Sequence, residues 1–277
     1  MKLNEIEKHW KDWANKYGED IRATDKSKTK KALEVDALRR GILAAGFKTE
    51  DIFSILEAGS GTGHNCIALS EAFPNALIEG FDYIEEMVSN ANLLKKKLNL
   101  KNIKYSCDNL LKLDQSQFFK KKFDVVFTNR CLINLNTHDL QKIAINNLSK
   151  LVSENGIMIL AENPQKKFDY QNDLRSFLGL SKRSHPEFNL LADEKNYIKI
   201  AEENGFELIY KDDFSSLHDL LLYVLIPSIN GGIIDYDHPI LKSATNLSLK
   251  VFQKEKNAFS TFGQNRLYYF AKKKKSR

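Results

Sequence analysis

The chain has 277 residues, 42% of them apolar, with 42 Lys and Arg against 36 Asp and Glu for a formal charge of +6. That length suits one large α/β domain, or one domain with a lid, and the apolar fraction suffices for a core. Cys66, Cys107 and Cys131 form no C-x-x-C pair, which supports neither a disulfide framework nor a metal site. Cys66 and Cys107 read as buried thiols. Residues 1–8 lack the apolar stretch of a signal peptide. The longest apolar run, residues 220–226, stops at Pro227 and is too short to span a bilayer. A cytoplasmic protein without membrane insertion is expected. The lysines at 95–97 and 120–122 read as solvated faces, and the densest basic run is the tail from Lys272 to Arg277. No segment interleaves basic and aromatic residues as a nucleic-acid groove would, so nucleic acid is not an expected partner.

In chain order, Trp10, Trp13, Ala14 and Tyr17 recur at helical spacing, and Gly18 ends that helix. A second helix is predicted over 31–43, with Leu33, Val35, Leu38, Ile42 and Leu43 as its buried stripe. Ile52, Phe53, Ile55 and Leu56 read as a buried strand that stops at Glu57. Gly59, Gly61 and Gly63 follow, and then an amphipathic helix from Cys66 to Phe73. Further strands are predicted at 76–82, 103–107, 123–128, 156–162, 206–210 and 266–271. Helices are expected at 85–98, at 137–152 with Asn136 or Thr137 as cap, and at 197–204 with Gly205 as its stop. Segments 163–193 and 212–262 exceed ordinary connections and read as lids or binding loops. The first carries an amphipathic helix through Phe168, Tyr170, Leu174, Phe177 and Leu178. The second carries a helix through Leu217 to Leu225, then Gly231 and Gly232 as a hinge.

Strand, glycine turn and helix form the first unit of a nucleotide-binding α/β domain. A dinucleotide site wants G-x-G-x-x-G, and His64 stands where its third glycine would be, which disfavours an NAD oxidoreductase. No Gly-Lys-Ser/Thr follows, so a P-loop is excluded. The pattern is Glu57-x-Gly59-x-Gly61-x-Gly63. Three predicted strands each deliver an acid at the carboxyl end: Glu57, Asp82 and Asp108. Asp82 lies 19 residues beyond Gly63, near the acid spacing of such units. A carboxylate there can accept from ribose hydroxyls or cap the next helix. Asp108 and Asn109 can face a ligand or simply turn the chain.

At these residues the chain resembles the class I S-adenosylmethionine (SAM) dependent methyltransferases, by motif over about residues 50–162 and more loosely in the closing strands. The resemblance implies an α/β, Rossmann-like fold: a doubly wound, seven-stranded, mostly parallel sheet. Its last strand would insert antiparallel between the fifth and sixth. It implies SAM as cofactor and S-adenosylhomocysteine (SAH) as product. Glu57, Gly59, Ser60 and Gly61 fall in the first motif, Asp82 on the ribose, Tyr83 and Ile84 against the adenine, Asp108 with Asn109 near the adenine amino group, and Asn129 near the sulfonium. The Asn-Pro-Pro-Tyr motif of one amino-methylating subclass is missing.

The whole chain, 1–277, then reads as one methyltransferase domain. Residues 1–50 are a helical cap and 51–162 the cofactor-binding core. Residues 163–193 and 212–262 are lid or acceptor-site insertions, and 263–277 the last strand and basic tail. Tyr17 or Thr24 is expected to approach the ligand. The acceptor is expected to be a small molecule methylated on a hydroxyl, such as a sugar or polysaccharide precursor. That reaction wants a base. His185, His218 and His238 are the candidates, with His218, on a predicted lid helix, ranked first. His64 is expected to pack or hydrogen-bond at the helix start. An RNA methyltransferase, favoured by the positive charge, and a SAM-binding scaffold without turnover are the alternatives. No motif speaks to oligomeric state.

Overall fold

A computed structural model describes residues 2–255 and 258–273. Lys274 to Arg277, the end of the predicted basic tail, lie outside the described residues. Seven strands form one sheet in the order β3-β2-β1-β4-β5-β7-β6. They are β1 (Ser54–Ala58), β2 (Leu77–Asp82), β3 (Ile103–Cys107), β4 (Phe123–Asn129), β5 (Val152–Glu162), β6 (Phe206–Asp212) and β7 (Arg266–Lys272). β1 to β5 run parallel, and β7 pairs antiparallel with both β5 and β6. This is the doubly wound sheet that the resemblance implied.

Central strands covered on both faces need apolar residues at every position. In β1 and β4, Ile55, Val125 and Phe127 face one core cluster, and Leu56, Ala58 and Val126 face the other. β1 starts two residues later than expected, and Ile52 is 81% exposed. The cause is Asp124, whose carboxylate accepts from both the backbone N–H and the hydroxyl of Ser54 and pins the strand there. Cys66 is buried, but Cys107 is exposed, because β3 is the sheet's edge and its last residue leaves the covered face.

The leader folds into α1 (Leu3–Tyr17) and α2 (Lys28–Ala44). Gly18 closes α1 at φ 56°, as expected. α2 begins three residues early, because the Ser27 hydroxyl accepts the Lys30 N–H as N-cap. α3 (His64–Ala72), α4 (Glu85–Lys97), α5 (His138–Leu151) and α7 (Glu194–Glu203) flank the sheet. The first insertion contains α6 (Gln165–Phe177). Its buried face holds Phe168, Gln171, Asn172 and Arg175, while Phe177 is 87% exposed. The apolar stripe expected there is displaced, because the polar face bonds the chain around it: Gln171 donates to Phe262 O, Asn172 to Arg183 O, and Arg175 to Ser181 O.

The second insertion contains α8 (Ser216–Leu220), a π turn (Leu221–Leu225), α9 (Ile226–Ile229) and α10 (Pro239–Val251). α10 packs on α2 and buries Leu241, Ala244, Thr245 and Ser248, so this part of 212–262 is scaffold rather than lid. Gly231 and Gly232 form a helix stop, with the Gly232 N–H donating to Pro227 O, where a hinge was expected.

Candidate active site

The strand order reverses between β1 and β4, and ligands of open α/β sheets bind at that crevice. The glycine turn lies there. Gly59, Gly61 and Gly63 have φ of 74°, 52° and 82°, in the left-handed region that suits glycine. A Cβ on Gly59 would run into Cys131, one on Gly61 would lie 2.7 Å from the Thr24 methyl, and one on Gly63 would strike Tyr105. The sequence reading gave the glycines to close cofactor approach. The structure adds that three side chains of the chain itself already occupy those approaches.

A cleft of about 610 Å³ opens over this turn. Glu57, Gly59, Ser60, Gly61, Asp82, Tyr83, Asp108, Asn109 and Asn129 all line it. The three carboxylates thus meet one cavity, and each is oriented from within the chain. Glu57 accepts from Asn65 Nδ2 at 2.6 Å and from the Cys66 thiol at 3.1 Å. Burial pushes its pKa up to about 7. Asp82 accepts from the Gly61 N–H at 2.8 Å and the Ile84 N–H at 2.9 Å, and burial raises its pKa as well. Asp108 accepts from the Asn109 N–H and the Ser116 hydroxyl, both at 2.8 Å. Tyr83 is half exposed and donates to Glu7 at 3.2 Å, while Ile84 beside it is buried.

The opposite wall comes from the leader, which supplies more of the lining than either insertion. Trp10, Trp13 and Thr24 face the cleft, and Tyr17 does not. Glu34 of α2 is the hub. It pairs with Lys31 at 2.6 Å and Arg130 at 3.1 Å, and accepts from Asn129 and Asn265 at 3.0 Å each. Arg130 also pairs with Asp25 at 2.7 Å, and takes φ 53° to reach both acids. Asp25 and Glu34 are held below the usual carboxylate range: burial is the largest single effect and opposes this, and the charges of Arg130, Lys31 and Lys30 together outweigh it. The sequence reading missed this charged wall. Its one available signal was the run Lys30, Lys31 and Glu34 at helical spacing on the side where Leu33 is buried.

His218 does not line the cleft. It is fully buried, with Nε2 3.0 Å from the Thr29 hydroxyl and 3.4 Å from Ser27, and Nδ1 3.3 Å from Asp219. The correction has a plain cause: α8 packs inward on the start of α2, so its histidine ties two segments together. His185 bonds to Pro186 O, and His238 caps α10 through the Ile240 N–H. Neither lines the cleft. His64 bonds to Glu19 O at 3.0 Å, at the start of α3.

A glycine turn at the strand-order reversal, with acids ending three adjacent strands, defines a nucleoside-binding α/β protein of the class I methyltransferase architecture. Residues 50–205 match a family model described as a methyltransferase domain. The chain belongs to that family. It is 33% identical over 114 residues to a malonyl-[acyl-carrier protein] O-methyltransferase of Bacillus anthracis, a match covering 41% of this chain and 39% of that protein. The match therefore spans about two fifths of the relative's length. Among solved structures, a SAM-dependent methyltransferase from Clostridium acetobutylicum superposes with a TM-score of 0.56 at 15% identity, covering 96% of this chain and 100% of that one. Magnesium protoporphyrin IX methyltransferase from Synechocystis, with SAH bound, gives 0.55 at 19% identity, covering 87% and 83%. At such identities the likeness establishes the fold. No helix among the described residues is long and apolar enough to cross a membrane.

Proposed function

We propose that the chain methylates a small-molecule acceptor on oxygen, with the adenosyl group of SAM along the β1–β3 ends. In this reading Asp82 accepts from the ribose hydroxyls, and Asp108 and Asn109 face the adenine, with Tyr83 and Ile84 against its ring. Glu57 and the Gly59–Gly61 backbone hold the amino-acid end, and Asn129 lies near the sulfonium. When bound, SAM supplies a methyl group already activated by the positive charge on sulfur. The chain's own residues orient the partners and exclude water.

The observation that carries the reading is the convergence of Glu57, Asp82, Asp108 and the glycine turn on one cleft of about 610 Å³. The residues present fit such a ligand. Ionised Asp82 and Asp108 can only accept, which suits the hydroxyl and amino donors of a nucleoside, and the buried Ser60 hydroxyl, also lining the cleft, has no partner among the described residues. The leader and the first insertion wall the cleft with Trp10, Trp13 and Phe188, which favours a compact acceptor over a nucleic-acid strand. A relative named for O-methylation accords with an oxygen acceptor. A hydroxyl acceptor would need a base; His185, His218 and His238 lie off the cleft lining, whereas His9 of α1 lines it. Calorimetry with SAH against NAD tests the cofactor half: SAH should bind and NAD should not, and the reverse would overturn it.

A further inference from the structure

Lys30 stands in the first turn of α2, lines the cleft, and is only 8% exposed. The acids around it are committed elsewhere. Asp25 accepts from the Ser27 N–H and Arg130. Glu34 holds Lys31, Arg130, Asn129 and Asn265. Asp219 accepts from the Ser215 hydroxyl and the Gln264 N–H, beside His218. Among the described residues, nothing bonds or ion-pairs with the Lys30 ammonium. Burial opposes its charge, but Tyr223 and the carboxylates of Asp25 and Glu34 support it, and its pKa is raised. An ammonium carries three donors, and at the cleft all three are available to a ligand.

Two hydroxyls face the same end of the cleft. Tyr223 and Tyr236 both line it, near enough to each other and to Lys30 to interact electrostatically. Tyr223 sits in the π turn, a local distortion often found at functional sites. It is clamped there: the Arg183 guanidinium lies 3.6 Å from its ring centroid, and Arg175 donates to its carbonyl. Arg183 is in turn held by Gln171 and Gln264 at 2.9 Å each.

We propose that Lys30, with Tyr223 and Tyr236, binds a carboxylate of the methyl acceptor. The inference rests on the reading of the cleft as a site for SAM and a small acceptor, and names the acceptor's class. Both tyrosines come from the insertion after β6, whereas the proposed nucleoside contacts come from the ends of β1 to β3, so the subsite belongs to the acceptor side. A carboxylate held through one oxygen keeps a lone pair on the other. As the new O–CH₃ bond forms, the S–CH₃ bond breaks and its electron pair stays on sulfur. The products are a methyl ester and SAH, and no proton has to be removed.

The test uses the full chain, saturated with SAH, with butyrate as the carboxylate probe and butyramide as its uncharged control, followed by NMR titration. Wild type should bind butyrate and discriminate against butyramide. Lys30→Met should bind butyrate about tenfold or more weakly, the scale of a lost charge-assisted hydrogen bond, while its SAH affinity stays within about twofold, well below that scale. Tyr223→Phe should weaken butyrate in the same direction. Unliganded Lys30→Met should unfold at a somewhat lower urea concentration than wild type, because Asp25 and Glu34 favour the ammonium in the folded protein, so the butyrate and SAH titrations are made well below that midpoint. Equal binding of butyrate and butyramide by wild type overturns the proposal. So does a Lys30→Met variant whose SAH affinity falls tenfold, since Lys30 would then serve the carboxylate of SAM itself. Wild type that binds no SAH refutes the underlying reading and the inference with it.

Discussion

Asp82→Asn separates the proposed nucleoside site from the fold that carries it. Each Asp82 oxygen already accepts one backbone N–H, from Gly61 at 2.8 Å and from Ile84 at 2.9 Å. Each keeps a further lone pair, and the residue lines the cleft. Hydrogen bonds to a charged acceptor contribute about 1.5–3 kcal/mol. Removing the charge while keeping the shape should therefore weaken SAH by about 10- to 150-fold. A second cost is separable. Asparagine offers one oxygen, so either the Gly61 or the Ile84 N–H loses its acceptor, at about 1–3 kcal/mol of folding stability. Urea unfolding without ligand reads that cost. Calorimetry with SAH, well below the unfolding midpoint, reads the first. Asp82→Ala would strip both N–H groups and blur the two. A folded Asn variant that binds SAH as wild type does would refute the ribose assignment.

Gly59→Ala should lose stability by about 2–5 kcal/mol, combining the left-handed φ of 74° with the clash against Cys131. Adding Cys131→Gly should recover only the clash, and a single variant as stable as wild type in urea would contradict the packing. His218→Ala should cost about 1–3 kcal/mol, because Thr29 and Asp219 lose a buried partner. SAH affinity should survive, and unchanged urea stability would show that the histidine ties nothing together. Glu57→Gln tests linkage. The folded Glu57 keeps its proton to about pH 7, while the unfolded side chain releases it near 4.5. Across that window the unfolded state binds fewer protons, so stability falls as pH rises, by up to about 3 kcal/mol. Glu162, pushed up to about 8 by burial, adds a loss of the same sign that the variant keeps. Urea midpoints from pH 4.5 to 7 should decline less steeply in Glu57→Gln than in wild type, and parallel curves would sink the argument.

What the sequence made legible was whatever is written locally. The seven strands announce themselves by apolar runs, and the acids at 57, 82 and 108 by their place at the run ends. The errors share a different cause, because they depend on contacts across long stretches of chain. Asp124 decides where β1 begins, from 70 residues away. Arg183 and the loop carbonyls shift the buried face of α6 away from Tyr170 and Phe177. α8 turns His218 towards Thr29, 189 residues distant in sequence. The charged wall of Asp25, Lys31, Glu34 and Arg130 was hidden for the same reason. Each member alone looks like a solvated helix or loop charge, and only the meeting of α2 with the end of β4 makes them a buried set.

The glycine motif therefore carries less functional information than its visibility suggests. Gly59, Gly61 and Gly63 are required by positive φ and by Cys131, Thr24 and Tyr105, whatever the cleft holds. Substituting them would damage the turn and the ligand site together, and a loss of binding could not be assigned to either. Asp82 and Lys30 are the discriminating positions because their costs fall on different states. Asp82 has partners in the free protein, so its replacement acts on both folding and binding, in amounts that two measurements separate. Lys30 has no hydrogen-bond partner among the described residues, and Asp25 and Glu34 favour it only through their charge, so its replacement should cost some stability while the specific loss falls on butyrate binding. A Lys30→Met variant that loses stability yet binds butyrate as wild type does would make the side chain structural.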